Sequence, residues 1–554
     1  MKNTQWYKEM AFYQIWPRSF SDGNGDGIGD LYGVYEKLDY IKSLNVDGIW
    51  FSPLYVSPNA DYGYDVADYM DISPDYGDLD IFKKVLDGAH ERGLRVIMDL
   101  VVNHTSDEHA WFKAGIADKA GPYHDYYFWR KAKPNGKLPN NWGSLFEGKA
   151  WEYNPELDEY YLHIFAKKQA DLNMDNPAVR EEVKRIMRFW LDLGVDGFRE
   201  DVITFISKKP GLPNDRLTPF LKGIRHYSNG PRIHEYLGEF KRDVLSKYDC
   251  ITIGEAPLMT PRTALEYIDE SGAKDLDLMF HFQHMGADCL FTDYIPRRFS
   301  LRRLKRSFTR WQKKLSGRAW NTLYLENHDH PRIISRYGSE SHRTESGKML
   351  AACYLFQQGT PFIYQGQEIG MTNISLQTIG EYKCVMAKNE YKKKTRWPEE
   401  KKMALIHRAS RDSARTPMQW TCGEKAGFTT GEPWFAINPN YVTINVERDN
   451  ADEDSILNFY RKALKFRKDN PVVLWGSYRE HKPMSKWFYT YEREYQGVRL
   501  LVICSFSDKE RRYTAPSGFS LPEGEPVLFN YAHPPLNGNT FMAKPYETRV
   551  YLFA

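Results

Sequence analysis

Apolar and polar residues alternate in two different rhythms along this chain, and the rhythm changes at about residue 472. Before that point one unit recurs: an amphipathic stretch, a turn with Gly or Asn, then a short apolar run ending in polar residues. Leu38 to Leu44, Asn45, then Gly48-Ile49-Trp50-Phe51 is one copy. Ile81 to Arg92, Gly93, then Val96-Ile97-Met98-Asp99 is another. The clearest helix follows Asn176-Pro177, residues suited to a cap and a first turn. Val179, Val183, Ile186, Met187 and Trp190 then share one face, and Gly194 ends it. Apolar runs without polar alternation are strands buried on both faces, so the alternation predicts a parallel sheet covered by helices.

Eight strands are expected, centred on Phe12-Tyr13-Gln14-Ile15, Ile49-Trp50-Phe51, Val96-Ile97-Met98, Phe198-Arg199, Thr252-Ile253, Leu278-Met279-Phe280, Leu323-Tyr324-Leu325 and Phe362-Ile363-Tyr364. Eight is the count of a closed (β/α)8 TIM barrel. The expected barrel takes residues 1–103 and 174–471. Residues 104–173, rich in Trp, Tyr, Gly and Asn, read as an inserted subdomain B over the barrel mouth after the third strand. A second excursion, about 372–415, is rich in Lys and Glu and follows the eighth strand. From 472 to 554 the period becomes two, as in Trp487-Phe488-Tyr489-Thr490-Tyr491, which predicts a C-terminal antiparallel β-sandwich domain. A chain of 554 residues is also too long for a single core.

Three acids end apolar runs: Asp201, Glu255 and Asp329. In a parallel barrel such positions ring one mouth, where barrel chemistry takes place. A carboxylate that attacks and another that donates a proton are what cleavage of a glycosidic bond requires. Alternation puts Arg199 on the same side as Asp201, where its charge is expected to keep that acid ionised. Glu255 has to hold a proton near neutral pH instead.

Composition narrows the partners. A net charge of +3 is too balanced for nucleic-acid or membrane binding, so runs such as Lys392-Lys393-Lys394 read as solvated faces. The aromatic fraction of 15% suits either apolar sugar faces or a large core. No stretch reads as a membrane span, and Met1 to Lys8 lacks an apolar signal core. Six scattered cysteines without a CxxC point to reduced thiols in a cytoplasmic protein. A monomer is the default expectation.

Asp99-Leu100-Val101-Val102-Asn103-His104, Gly197 to Val202, Gly254-Glu255 and Asn327-His328-Asp329 together resemble the motifs of the α-amylase superfamily, glycoside hydrolase family thirteen. Tyr13 to Phe20, Gln169 to Asn173 and Ala414 to Trp420 extend the likeness over the whole chain, toward the oligo-1,6-glucosidase group. The resemblance implies a retaining α-glucosidase acting on small oligosaccharides. Asp201 would be the nucleophile and Glu255 the acid and then base. Asp329, His104 and His328 would hold sugar hydroxyls, and Arg199 would orient Asp201. Asp61 and Tyr64 would bind the terminal glucose, with Arg415, or less favourably Arg411, closing the pocket against Asp61. Phe146, Phe165 and Gln169 would line it. A closed pocket implies exo action, and Val202 resembles the α-1,6-selective members. The same likeness puts a structural Ca²⁺ (or Mg²⁺) in the loop Asp22-x-Asn24-x-Asp26-Gly27-Ile28-x-Asp30, whose oxygen donors alternate as in a calcium loop. No organic cofactor is implied.

Glu200, Ala170, Glu326 and His330 depart from the family pattern. Glu200 faces the helix layer and needs a partner there, while His330 lies near where a second sugar would sit. Two nearby alternatives remain: a broad α-glucosidase with α-1,4 activity, and a transglycosylating sucrose isomerase. Isomerases carry an Arg-Leu-Asp-Arg-Asp loop where this chain reads Phe299 to Arg306. A non-catalytic relative such as a transporter heavy chain would lack the acids that this chain keeps.

Overall fold

The eight expected strands lie side by side in one parallel sheet: β1 (Phe12–Ile15), β2 (Gly48–Phe51), β3 (Arg95–Leu100), β4 (Gly197–Glu200), β5 (Ile251–Ala256), β6 (Leu278–His281), β7 (Thr322–Leu323) and β8 (Thr360–Tyr364). The computed structural model describes residues 5–553 apart from 147, 219–220, 273, 523–525 and 533–537. Backbone pairing runs β6-β5-β4-β3-β2-β1-β8-β7. Side chains close the remaining seam: Thr322 Oγ1 donates to the Met279 carbonyl at 2.9 Å, and the Tyr324 hydroxyl donates to the His281 carbonyl at 2.8 Å. The barrel is thus nearly closed by its backbone and completed by two hydroxyls from β7 and its loop.

Strand periodicity sorts side chains into two cores. Phe12, Trp50, Ile97, Ile253, Leu278, Phe280 and Phe362 fill the barrel interior. Their neighbours Tyr13, Ile49, Phe51, Val96, Met98, Phe198 and Ile363 pack outward among the helices. The helix Pro177–Asp192 buries the five predicted residues and is capped by Asn176, whose side chain accepts from the Ala178 N–H at 2.9 Å.

Between β3 and the Pro177 helix stand the helix Ala110–Ala117 and a three-stranded antiparallel sheet of Trp129–Arg130, Glu159–Leu162 and Trp151–Asn154. A ribbon pairing His104–Ser106 with Gln169–Asp171 brings both ends of this segment back to the same edge of the mouth. After β8 the excursion forms the helices Val385–Lys393 and Glu399–Ala409. The C-terminal strands start later than expected: Val472 lies in a short helix, Pro471–Trp475, and the first strand is Ser477–His481. The run Val472-Val473-Leu474 is apolar because that helix is buried, so it carries no strand signal.

Beyond it, five antiparallel strands form a sheet buried on both faces. Tyr489, Tyr491, Leu500 and Val502 join the main core, while Phe488, Leu501, Ile503 and Tyr551 pack with residues of a two-stranded ribbon. Arg493 pins this sheet to the barrel. Its guanidinium donates to the carbonyls of Phe356 and Val473 at 2.8 and 2.9 Å, satisfying orphan groups at helix ends. No described helix is long and apolar enough to cross a membrane.

Glu200 departs from expectation. It is only 1% exposed, its Oε2 has no hydrogen-bond partner, and the charges that face it are Asp277 and Asp275. Burial, reinforced by those two acids, pushes its pKa from 4.5 to about 8. The raised folded-state value sets the sign. Between pH 4.5 and about 8 the unfolded chain releases a proton that the fold retains, so stability falls through that window and levels off above it. The slope is about 1.4 kcal/mol per pH unit. Glu200→Gln should therefore gain thermal stability over the wild type progressively from pH 5 to 8. A difference in Tm that does not grow with pH would refute the buried neutral acid.

Candidate active site

Every candidate acid lies at the C-terminal end of a barrel strand or in the loop that follows it. Asp201 follows β4, Glu255 is in β5, and Asp329 lies in the loop after β7. Arg199 of β4, 1% exposed, points into the barrel above the Trp50 ring at 5.4 Å. Its Nη1 reaches Asp99 Oδ1 at 2.5 Å and Asp201 Oδ1 at 2.7 Å, and its Nη2 reaches Glu255 Oε2 at 2.6 Å. One guanidinium thus anchors three carboxylates.

This sharing corrects the expected ionisation of Asp201. Burial pushes its pKa well up, Arg199 opposes, and the charges of Glu255 and Asp99 add to the upward shift. Burial likewise brings Asp99 to about 6 against the pull of Arg199. One cation facing three close carboxylates leaves an excess of negative charge, which favours the uptake of a proton by Asp201.

The backbone turns sharply after Asp201. Val202 has φ 36° and ψ 37°, a left-handed conformation that is an outlier for a β-branched residue. The turn aims the Val202 N–H at Glu255 Oε2, 3.1 Å away. Its side chain, 5% exposed, joins Phe146, Phe165 and Phe205 in one apolar cluster.

The opposite side of the pocket is balanced in charge. Arg411 binds Asp61 at 2.6 Å and Asp329 at 3.1 Å, and Arg415 binds Asp329 at 3.2 Å. The pairing expected between Asp61 and Arg415 is therefore replaced by Asp61 with Arg411. Arg415 turns instead to Asp329, the His328 carbonyl at 3.0 Å and the Trp16 ring. Burial favours the neutral form of Asp329, but His328, Arg411 and Arg415 outweigh it and hold the acid well below the usual carboxylate range.

Hydrogen bonds fix the two histidines. Gln14 Nε2 donates to His328 Nδ1 at 2.8 Å, which leaves the proton on Nε2, beside the Tyr64 hydroxyl at 2.7 Å and Asp329 Oδ2 at 3.1 Å. Tyr64 in turn donates to Asp99 Oδ2 at 3.0 Å, and its ring stacks on His328 with centroids 5.3 Å apart. His104 Nε2 faces the Tyr64 carbonyl at 3.0 Å, and Gln169 Nε2 donates to the same carbonyl at 3.1 Å. Burial lowers the pKa of both histidines, so each works as a neutral donor. Phe165 packs against His104, and Phe146 lies under Arg411. His330 Nδ1 is tied to Asp293 at 2.7 Å, within a network that includes Arg336.

The structure thus brings together all the candidate substrate residues. It adds Gln14, Trp16 and Asp99, which carry no separate sequence signal beyond lying in quoted motifs. Behind the pocket, Lys208 and Asp171 form an ion pair at 2.8 Å with both side chains fully buried. Lys208 also donates to Asn103 Oδ1 at 2.8 Å, locking the loop after β4 to the inserted segment.

The loop Asp22 to Asp30 stands apart, after β1. Asp22 Oδ1 accepts from the Gly25 N–H at 2.7 Å and its Oδ2 from the Gly27 N–H at 2.8 Å; Asp26 Oδ1 accepts from Ile28 N–H at 2.8 Å. Asp30, fully buried, caps the next helix through Gly33 N–H at 2.7 Å. Gly25 and Gly27 take φ of 85° and 95°, which lets the loop curl on itself. Among the described residues no Lys, Arg or His pairs with Asp22, Asp26 or Asp30. Asp22, Asn24, Asp26, Asp30 and the Ile28 carbonyl are hard oxygen donors of the kind that suits Ca²⁺, with the carboxylates held here by backbone N–H groups.

Carboxylates gathered around one arginine at the mouth of a parallel barrel, beside an aromatic-walled pocket, supply the groups that glycosidic-bond chemistry needs. Residues 14–476 match the catalytic domain of α-amylase, and the chain belongs to that family. It is 47% identical to an oligo-1,6-glucosidase of Parageobacillus thermoglucosidasius over 556 residues, 99% of this chain and 98% of that one. Among solved structures, the trehalose-6-phosphate hydrolase of Bacillus licheniformis is 42% identical with a TM-score of 0.93, covering 99% of this chain and 100% of its own. The trehalulose synthase of Pseudomonas mesoacidophila MX-45 is 39% identical with a TM-score of 0.93, covering 99% of both chains.

Lys208→Met should leave the Asp171 charge buried without its partner. The expected cost is about 3–5 kcal/mol, read as a marked fall in Tm. An unchanged Tm would show that the pair does not hold the inserted segment.

Proposed function

We propose that this protein is a retaining, exo-acting α-glucosidase that hydrolyses α-1,6-glucosidic bonds at the non-reducing end of isomalto-oligosaccharides. The observation that carries this reading is the convergence of Asp201, Glu255 and Asp329 on one mouth, the first two on a common arginine.

In this reading Asp201 attacks the anomeric carbon while Glu255 gives its proton to the leaving oxygen. The bond to the leaving sugar breaks and a β-glucosyl ester forms. Glu255, now a carboxylate, takes a proton from water, whose oxygen attacks the same carbon and frees Asp201. Two inversions give net retention, which needs carboxylates about 5–5.5 Å apart. Anchoring on a single guanidinium is consistent with a close pair. Asp329 and His328 hold ring hydroxyls, and the ionised state of Asp329 strengthens those bonds as positive charge develops on the sugar. The Arg411–Asp61 bridge ties two walls of the pocket together, and a pocket closed in this way suits exo action. The oligo-1,6-glucosidase likeness and the apolar side chain of Val202 beside the nucleophile favour the α-1,6 linkage.

Asp22, Asn24, Asp26, Asp30 and the Ile28 carbonyl would hold a Ca²⁺ ion. Bound there, the ion would neutralise the loop and stiffen the exit from β1. Cys289, Cys353, Cys384, Cys422 and Cys504 form no disulfide, which fits a reducing, cytoplasmic setting; the enzyme is read as a monomer.

The deciding measurement is product release from isomaltose, panose, maltose and sucrose, with the anomer followed by NMR. Isomaltose should yield α-glucose first; initial β-glucose would exclude a retaining mechanism, and preferred cleavage of maltose would exclude the α-1,6 assignment. Val202→Thr should move the isomaltose-to-maltose ratio of kcat/KM toward maltose by roughly tenfold, about 1.4 kcal/mol. An unchanged ratio would place selectivity elsewhere. Chelation should lower Tm at concentrations that leave kcat at 25 °C unaltered, and a Tm indifferent to verified metal removal would exclude a bound structural ion.

A further inference from the structure

The two sides of the pocket differ in charge balance, and the difference has a cause. Asp61 and Asp329 face two arginines, whereas Asp99, Asp201 and Glu255 face one. Asp99 takes the shortest of the three bonds to Arg199, at 2.5 Å. It lies at the end of β3, is 1% exposed, and cannot reach the reacting bond as a nucleophile or acid would without leaving Arg199. Its second oxygen is held by the Tyr64 hydroxyl, which in turn faces His328. The groups that face Asp99 come from three places: Tyr64 and Tyr55 after β2, Arg199 and Asp201 at β4, and Glu255 on β5.

We propose that Asp99 is a positioning residue for the proton economy of the site: by occupying one arm of Arg199 it prevents that guanidinium from neutralising both Asp201 and Glu255, so the pair keeps one shared proton for the leaving group. With Asp99 ionised, Arg199 and its three partners carry a net surplus of two negative charges, and binding one proton relieves the repulsion. Without Asp99 the same arginine would serve two carboxylates, and the pair would hold its proton less tightly. Burial raises the pKa of Asp99, Arg199 is the main influence against it, and the bond from Tyr64 adds a smaller push toward the ionised, competing state. This couples the aromatic wall of the sugar pocket to the protonation of the catalytic pair. The inference rests on the proposed glucosidase reading for its kinetic arm only.

Removing a negative charge lowers the pKa of its neighbours. Asp99→Asn should therefore shift both limbs of the kcat/KM–pH profile on p-nitrophenyl α-glucoside toward acid by about one pH unit, a tenfold loss of the protonated fraction on the alkaline limb. Tyr64→Phe should move the limbs the same way, because Asp99 deprived of its donor takes up a proton and releases Arg199. Asp99→Glu, which retains the charge, should leave the limbs near those of the wild type. A second reading needs no turnover. In a Glu200→Gln background, infrared titration should show a protonated carboxyl persisting near pH 7 that disappears about one unit earlier when Asp99→Asn is added. Failure of the wild type to hydrolyse any α-glucoside would remove the functional reading and leave the infrared test standing. Loss of kcat equal at all pH, with unmoved limbs and an unmoved carboxyl band, would make Asp99 merely structural and overturn the proposal.

Discussion

The guanidinium of Arg199 is the constraint around which this site is organised. It projects from β4 into the barrel, rests on Trp50, and holds a carboxylate from each of three consecutive elements: β3, the turn after β4, and β5. A charge buried at this depth is tolerated only when paired and hydrogen-bonded. The pairing in turn fixes where each acid sits. The strained turn at Val202 belongs to the same arrangement, since it directs a backbone N–H to the carboxylate of Glu255. Strain, burial and charge crowding are thereby concentrated on the residues that do the chemistry.

The pocket beyond them is built on a different rule. Asp61, Asp329, Arg411 and Arg415 balance one another, and the uncharged rings of Trp16, Tyr64 and His328 stack beside them. A balanced wall can present fixed charges and dipoles to a neutral sugar. The catalytic side has to exchange protons and is left unbalanced. The contacts that hold the two sides in register run through the fold: the Lys208–Asp171 pair fastens the inserted segment, and the helices after β8 lead into the two arginines.

The chain is similar over its whole length both to an oligo-1,6-glucosidase and to a trehalulose synthase, so the scaffold alone does not fix the reaction. The mouth is where this chain departs from the family pattern, with His330 tied to Asp293 in the loop after β7.

Much was legible from sequence because it is local. Periodicity placed all eight barrel strands and the Pro177 helix, since alternation and capping are properties of neighbouring residues. The same register put Asp201, Glu255 and Asp329 at strand ends, and motif likeness supplied the histidines and the pocket residues. Partner choice was not local. Arg411 and Arg415 are both arginines one helical turn apart, and only the path of the chain after β8 decides which meets Asp61. Glu200 looked like an acid in need of a partner, but the layer behind β4 offers Asp275 and Asp277, so it stays neutral. Asp201 looked ionised beside its arginine until the fold set Asp99 and Glu255 on the same guanidinium. Sequence determined which groups line the site, because strand register is written in alternating residues. Tertiary structure decided their charges, because a pKa depends on burial and on how many carboxylates share one cation across distant strands.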